Sequence, residues 1–268
     1  EQVRLYELWV ERAFGADRSS SIRVGLYDLN SEFDVSATSG LFTNSSHGIA
    51  PPLAHSGLNG PSIFPVTSLG ARFQWHPAPD WTLRLAVLDA VPGDPTEPRS
   101  NAIHLRKEEG LLLVGEVQRG GPLRKVAFGS WAYTSKHEAV LPGPPATSAG
   151  MYVLAERRLL QEEGDSQQGL DGFVRAGTAT DRVNRFSQFV GLGLVYTGAL
   201  PGRPKDQLGI AVALPRNGSP YRAAQALASL ATTARESVIE LTYLAEISDH
   251  LSLQPVIQYT RAPNTDPS

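Results

Sequence analysis

Between Arg4 and Phe14 apolar and charged positions alternate, with Tyr6, Leu8 and Val10 on one side of an extended chain and Glu7, Trp9 and Glu11 on the other. The same two-residue period, punctuated by glycine, proline and polar turn formers, predicts about twelve strands. They fall near 3–14, 19–27, 67–77, 81–88, 110–119, 123–133, 150–160, 169–178, 186–197, 206–214, 236–247 and 250–260. Most are roughly 9–12 residues long, which exceeds a typical soluble strand and suits a tilted crossing of a bilayer.

The connections alternate in length. Residues 15–18, 76–80, 119–122 and 248–250 are tight, whereas 28–66, 89–109, 134–149 and 215–235 are long. Residues 162–168 and 199–206 are intermediate within the short series, and the link near 179–185 is brief within the long one. Short turns at one end and long loops at the other predict an all-β fold, a transmembrane antiparallel up-and-down β-barrel. A soluble sandwich is the rival pattern.

Face assignment separates the two. Ile22, Val24 and Leu26 oppose Arg23; Leu69, Ala71, Phe73 and Trp75 oppose Arg72 and Gln74; Leu83, Leu85 and Val87 oppose Arg84; Ile239 and Leu241 oppose Glu240. A face with that many charges cannot be a packed core, because each unpaired charge costs several kcal/mol to bury. The Ala-rich stretch 223–234 is the best helical candidate for a covering layer and is too short for a dozen strands. The charged face is therefore expected to line water and the apolar face to meet lipid, with Trp75, Trp81, Tyr243 and Tyr259 as interfacial aromatics. Strands 123–133 and 150–160 leave their faces unassigned.

Composition adds exclusions. The 268 residues carry a net charge of −3 and no cysteine, so there is no disulfide or thiolate metal site and no pull towards nucleic acid. No apolar run approaches the roughly 18 residues of a membrane helix.

Several stretches, LYELWVE (5–11), RVGLYDLNSEFDVS (23–36), GLFTNSS (40–46), SGLNGPSIFPVTSLG (56–70), DAVPGDP (89–95), GRPKDQLGIAVA (202–213) and the run Glu236 to Tyr243, resemble the carbohydrate-selective porins (OprB family) of Gram-negative outer membranes. The resemblance implies a barrel of about sixteen strands integral to the outer membrane, through which monosaccharides or other small carbohydrates diffuse passively. Residues 1–268 are then one porin domain, an internal portion lacking about three opening strands and one closing strand. The implied partners are small sugars and outer-membrane lipid and lipopolysaccharide, with a homo-oligomer compatible, no nucleic acid and no cofactor.

A barrel of that size leaves an aqueous channel, so selectivity requires a constriction. The connection 28–66 is the expected one, with Asn30, Glu32, Asn59 and Phe64 as its candidate residues and Ile63-Phe64-Pro65 as a buried anchor. Sugars offer hydroxyls and weakly apolar ring faces, so carboxylates, guanidinium groups and an aromatic platform suit their path. Glu7, Trp9, Glu11, Arg23, Arg72, Arg84, Glu116 and Glu240 supply these on lumen-facing positions. The plainer alternative is that these charges only pair with one another and stiffen the wall.

Other classes fit less well. The six histidines, His47, His55, His76, His104, His137 and His250, fall singly without H-x-x-H spacing, and G-x-S-x-G does not occur, so no enzyme is expected. PGDP (92–95) with Asp89 and Glu97 reads as a turn more readily than as a calcium site, and no metal is expected. A general or differently selective channel, or a plugged barrel acting as a binding or structural protein, remains the alternative.

Overall fold

The computed structural model describes residues 4–15, 17–94, 96, 103, 105–121, 123–162 and 167–263. Glu97 and His104 lie outside the described residues, as does 264–268. Thirteen antiparallel strands form one sheet: β1 (Leu8–Phe14), β2 (Ser20–Tyr27), β3 (Ser68–Ala78), β4 (Trp81–Asp89), β5 (Leu111–Gly121), β6 (Arg124–His137), β7 (Ala146–Gln161), β8 (Gly169–Ala179), β9 (Phe186–Thr197), β10 (Gln207–Asn217), β11 (Ser237–Ser248), β12 (Leu251–Leu253) and β13 (Val256–Arg261). Each strand from β1 to β11 pairs with its sequence neighbour, the up-and-down order expected from the short turns. Among the described residues the sheet does not close, and β1 is one of its edges. No helix of the described residues is long and apolar enough to cross a membrane.

Two boundaries differ from expectation for identifiable reasons. The last strand is split into β12 and β13, both paired with β11, because Pro255 has no N–H to give the ladder. The carbonyl of Pro255 instead accepts from the Tyr243 amide at 3.1 Å. The first strand begins at Leu8, and Glu7 precedes it. Strands β6 and β7 run on to His137 and from Ala146, which shortens the expected 134–149 loop.

The faces follow the alternation. Leu8, Val10, Ile22, Val24, Leu85, Val87, Ile239 and Leu241 are exposed on the outer face, Val10 by 75%. The intervening Arg72, Glu116 and Glu240 are buried on the inner face. What buries them is the connection 28–67, which carries three 3₁₀ turns and the short helix α1 (Pro51–Ala54) and lies against the inner side of the sheet. Its Leu29, Phe33, Ile49 and Leu53 pack on inward Leu88 of β4, Leu112 and Val114 of β5, Trp131 and Tyr133 of β6 and Tyr152 of β7. That contact explains the two strands without assignable faces: their inner positions are apolar because they receive the loop, while Val126, Phe128, Met151 and Val153 are apolar for the outside.

The Ala-rich segment contributes helix α2 (Ser219–Leu227) in the connection between β10 and β11, and none of its residues is buried.

Candidate functional site

The inner face is polar because β1 to β8 and β11 each place at least one charged side chain at an inward position, and the loop meets most of them. From β3, Arg72 donates to Glu32 at 2.7 and 2.8 Å, to Ser21 at 2.7 Å and to Glu11 at 3.0 Å. From β5, Glu116 accepts the Asp34 amide at 3.0 Å, the Tyr152 hydroxyl at 2.7 Å and Arg84 at 3.1 Å. From β7, Glu156 accepts the Ser36 hydroxyl at 2.7 Å and the Thr38 amide at 3.0 Å, with Lys125 of β6 at 3.3 Å. From β11, Glu240 accepts the amides of Thr43 and Asn44 at 2.7 and 2.9 Å.

Arg175 of β8 is fully embedded, 1% exposed. It pairs with Asp34 at 2.6 Å and donates to the carbonyls of Asp34 and His47. The other oxygen of Asp34 takes the Ala50 amide at 2.8 Å, so this one carboxylate joins two parts of the loop to the wall. Buried charges of this kind are tolerated only when compensated: Arg72, Glu116, Glu156 and Arg175 each have an ion-pair partner, and Glu240 is held by backbone amides, Thr43 and Gln258.

His47 lies at the centre of this arrangement, 0% exposed, its ring 5.2 Å from Phe42 and 5.8 Å from Phe173. Neither ring nitrogen has a hydrogen-bond partner among the described residues. Burial pushes the imidazole down to about 4, the Glu240 carboxylate opposing and the Arg175 charge adding to the shift.

The expected path residues thus divide. Glu7 lies at the mouth and accepts the Asp28 amide at 2.9 Å. Arg72, Glu116 and Glu240 are covered by the loop and hold it, rather than facing open water. Trp9, Glu11 and Arg23 form one group: the Arg23 guanidinium sits 3.9 Å from the Trp9 ring centre and 2.9 Å from Glu11, with Glu32 at 3.6 Å. Trp9 remains 39% exposed, so its ring is not enclosed. Gly25, the partner of Trp9 across β1 and β2, has φ +148°, and a Cβ there would meet the Trp9 backbone at 2.6 Å. Arg84 joins Gln74 at 2.9 Å and Gln118 at 3.3 Å, a second polar group towards the short-turn end.

Of the loop candidates, Glu32 bridges Arg72 and Tyr27, and the Asn30 side chain donates to the carbonyls of Phe33 and Gly48. Asn59 donates to the Pro92 carbonyl at 2.6 Å, tying the loop to the next long connection. Phe64 is not a buried anchor: it is 72% exposed and rests edge-on against Tyr6 at 5.4 Å. Ile63, packed on the core, does the anchoring. Asp94 accepts from the Thr96 amide and hydroxyl at 2.8 and 2.7 Å.

Asp34, Lys125, Glu156 and Arg175 were not among the expected residues. Arg175 was readable from its parity with Asp171 and Phe173 in β8, opposite Gly172 and Val174. The loop residues were not, since a backbone amide that binds a carboxylate leaves no mark in sequence.

The model of the family described as carbohydrate-selective porin, OprB family, matches residues 1–266. The chain belongs to the OprB family. Membership places it among outer-membrane β-barrel proteins. Porin B of Pseudomonas aeruginosa is 23% identical over 236 residues, covering 75% of this chain and 51% of that protein. The chain therefore spans about half the length of this curated relative. Among solved structures, the high-pH structure of Pseudomonas putida OprB superposes with a TM-score of 0.81 at 18% identity, covering 97% of this chain and 68% of that one. The outer-membrane channel DcaP of Acinetobacter baumannii gives 0.52 at 12% identity, covering 90% and 73%. At these identities the structural likeness bears on the fold: an OprB-type antiparallel sheet with an apolar outer and a polar inner face.

Proposed function

We propose that the protein is a passive channel for monosaccharides or other small carbohydrates, with no chemical step and no cofactor. One observation carries this reading: a single long connection is laid across the polar inner face and fixed by side chains of β3, β5, β7, β8 and β11. A pore narrowed by a fixed loop selects by size and hydrogen bonding.

The path is proposed to run past Trp9, Glu11 and Arg23 and then past Arg84, Gln74 and Gln118. There guanidinium, carboxylate and amide groups meet sugar hydroxyls while the indole faces a ring C–H surface. Mixed charge favours an uncharged polar solute, and binding is weak because a conducting site must release its cargo. The proposal includes outer-membrane lipid and lipopolysaccharide against the outer face, and assembly of copies would register as conductance steps in fixed multiples.

The test is single-channel recording of the full-length protein in planar bilayers, with glucose and with a charged solute as control. Current blocked by millimolar glucose is expected. Open channels indifferent to glucose would instead make it a general pore, and absence of conductance would make it a plugged barrel.

A further inference from the structure

Towards the short-turn end of the sheet, the outer face holds a groove of about 1000 Å³. Its apolar lining comes from Val126 of β6, Ala155 and Leu159 of β7, Val174 of β8, and Leu192 and Leu194 of β9. At one side of it stand Arg119, Arg124 and Arg157, against a single outward carboxylate, Asp80.

Arg124 and Arg157 are direct partners across β6 and β7. Both share the outward parity of Val126 and Ala155, both are exposed, and neither side chain makes an ion pair or hydrogen bond among the described residues. Arg119 is engaged with Asp80 at 3.1 Å. Lys125 and Glu156, which also border the groove, satisfy each other from the inner face. Two like charges directly opposite on neighbouring strands repel. At the short-turn end these positions lie near the level of the headgroups, where arginine is tolerated on the outer face and meets headgroup charge. The arrangement is stabilised when an anion sits between the guanidinium groups, and their forked geometry matches phosphate oxygens.

We propose that this groove binds an anionic glycerophospholipid of the leaflet at the short-turn end. Its phosphate sits between Arg124 and Arg157, and an acyl chain lies along Val126, Val174 and Leu192. The unmatched positive charge selects an anionic headgroup over a zwitterionic one.

The full-length protein is purified in detergent with equimolar phosphatidylglycerol and phosphatidylethanolamine, and retained lipid is counted by native mass spectrometry. Phosphatidylglycerol enriched at least fivefold is expected. Enrichment is lost in Arg124→Gln/Arg157→Gln, and also in Val174→Trp, which fills the groove and keeps both charges. Lys136→Gln, on the same strand as Arg124 but at its far end, retains it. Unchanged channel conductance shows that each variant is folded. Equal retention of the two lipids by the wild type, or enrichment that survives both groove variants, overturns the proposal. So does efficient disulfide cross-linking between copies that appears with Leu192→Cys and is absent from the parent protein, since that would put protein where the lipid belongs.

Discussion

Removing the Arg175 guanidinium leaves Asp34 as a buried carboxylate without its cation, 2.6 Å from where that cation was. Breaking one side of a buried pair costs about 3–5 kcal/mol. Arg175→Ala is therefore expected to undock the loop, seen as larger, noisier single-channel currents and faster proteolysis within 28–66. Adding Asp34→Ala should recover part of the loss. His47 predicts a pH effect whose sign is fixed. Docked, the imidazole stays neutral down to about 4; undocked and solvated, it protonates near 6.5. The undocked state binds more protons between those values, so docking weakens as pH falls from about 6.5 towards 4 and is unaffected above. Current noise recorded across that range should rise on acidification, and His47→Phe should abolish the rise. At the proposed sugar path, Trp9→Ala should weaken glucose block by roughly 1 kcal/mol, about fivefold, while leaving the ion current open.

At the scale of elements, inner positions of β6 and β7 show how aromatic bulk is accommodated. A Cβ at Gly129 would lie 2.1 Å from the Tyr152 ring, and that ring's hydroxyl reaches Glu116 at 2.7 Å. Gly129→Ala is expected to displace Tyr152 and cost about 1–3 kcal/mol, measured as a lower thermal unfolding midpoint in detergent. Connections divide by burial in the same way: insertion of a short peptide tag within 219–227, where no residue is buried, should leave conductance intact, whereas one at Ser45–His47 should not. The strands themselves were legible because lipid outside and water inside impose one period, and β9 keeps its expected ends at 186 and 197. Legibility failed where that rule was suspended. In β6 and β7 the inner face serves an apolar loop, so both parities read alike, and at Pro255 a missing amide splits a strand that the pattern ran through. Phe64 misled because an Ile-Phe-Pro run looks like a core anchor when only its first residue enters the core. Of the candidate site, the residue types and their inward direction were readable; that Arg72, Glu116 and Glu240 would be occupied by the loop was not, since their partners are largely backbone amides and side chains far along the chain.

For the molecule as a whole, the same segment is gripped by β3 near one side of the sheet and by β11 near the other, with β5, β7 and β8 between. It therefore behaves as a cross-brace. Flattening or rounding of the curved sheet must stretch these ties together, so in the proposed channel the shape of the wall and the bore of the passage form one mechanical degree of freedom. Lateral tension in the surrounding membrane would then be transmitted to the aperture, and a severed tie would be felt both as a softer wall and as a less discriminating opening.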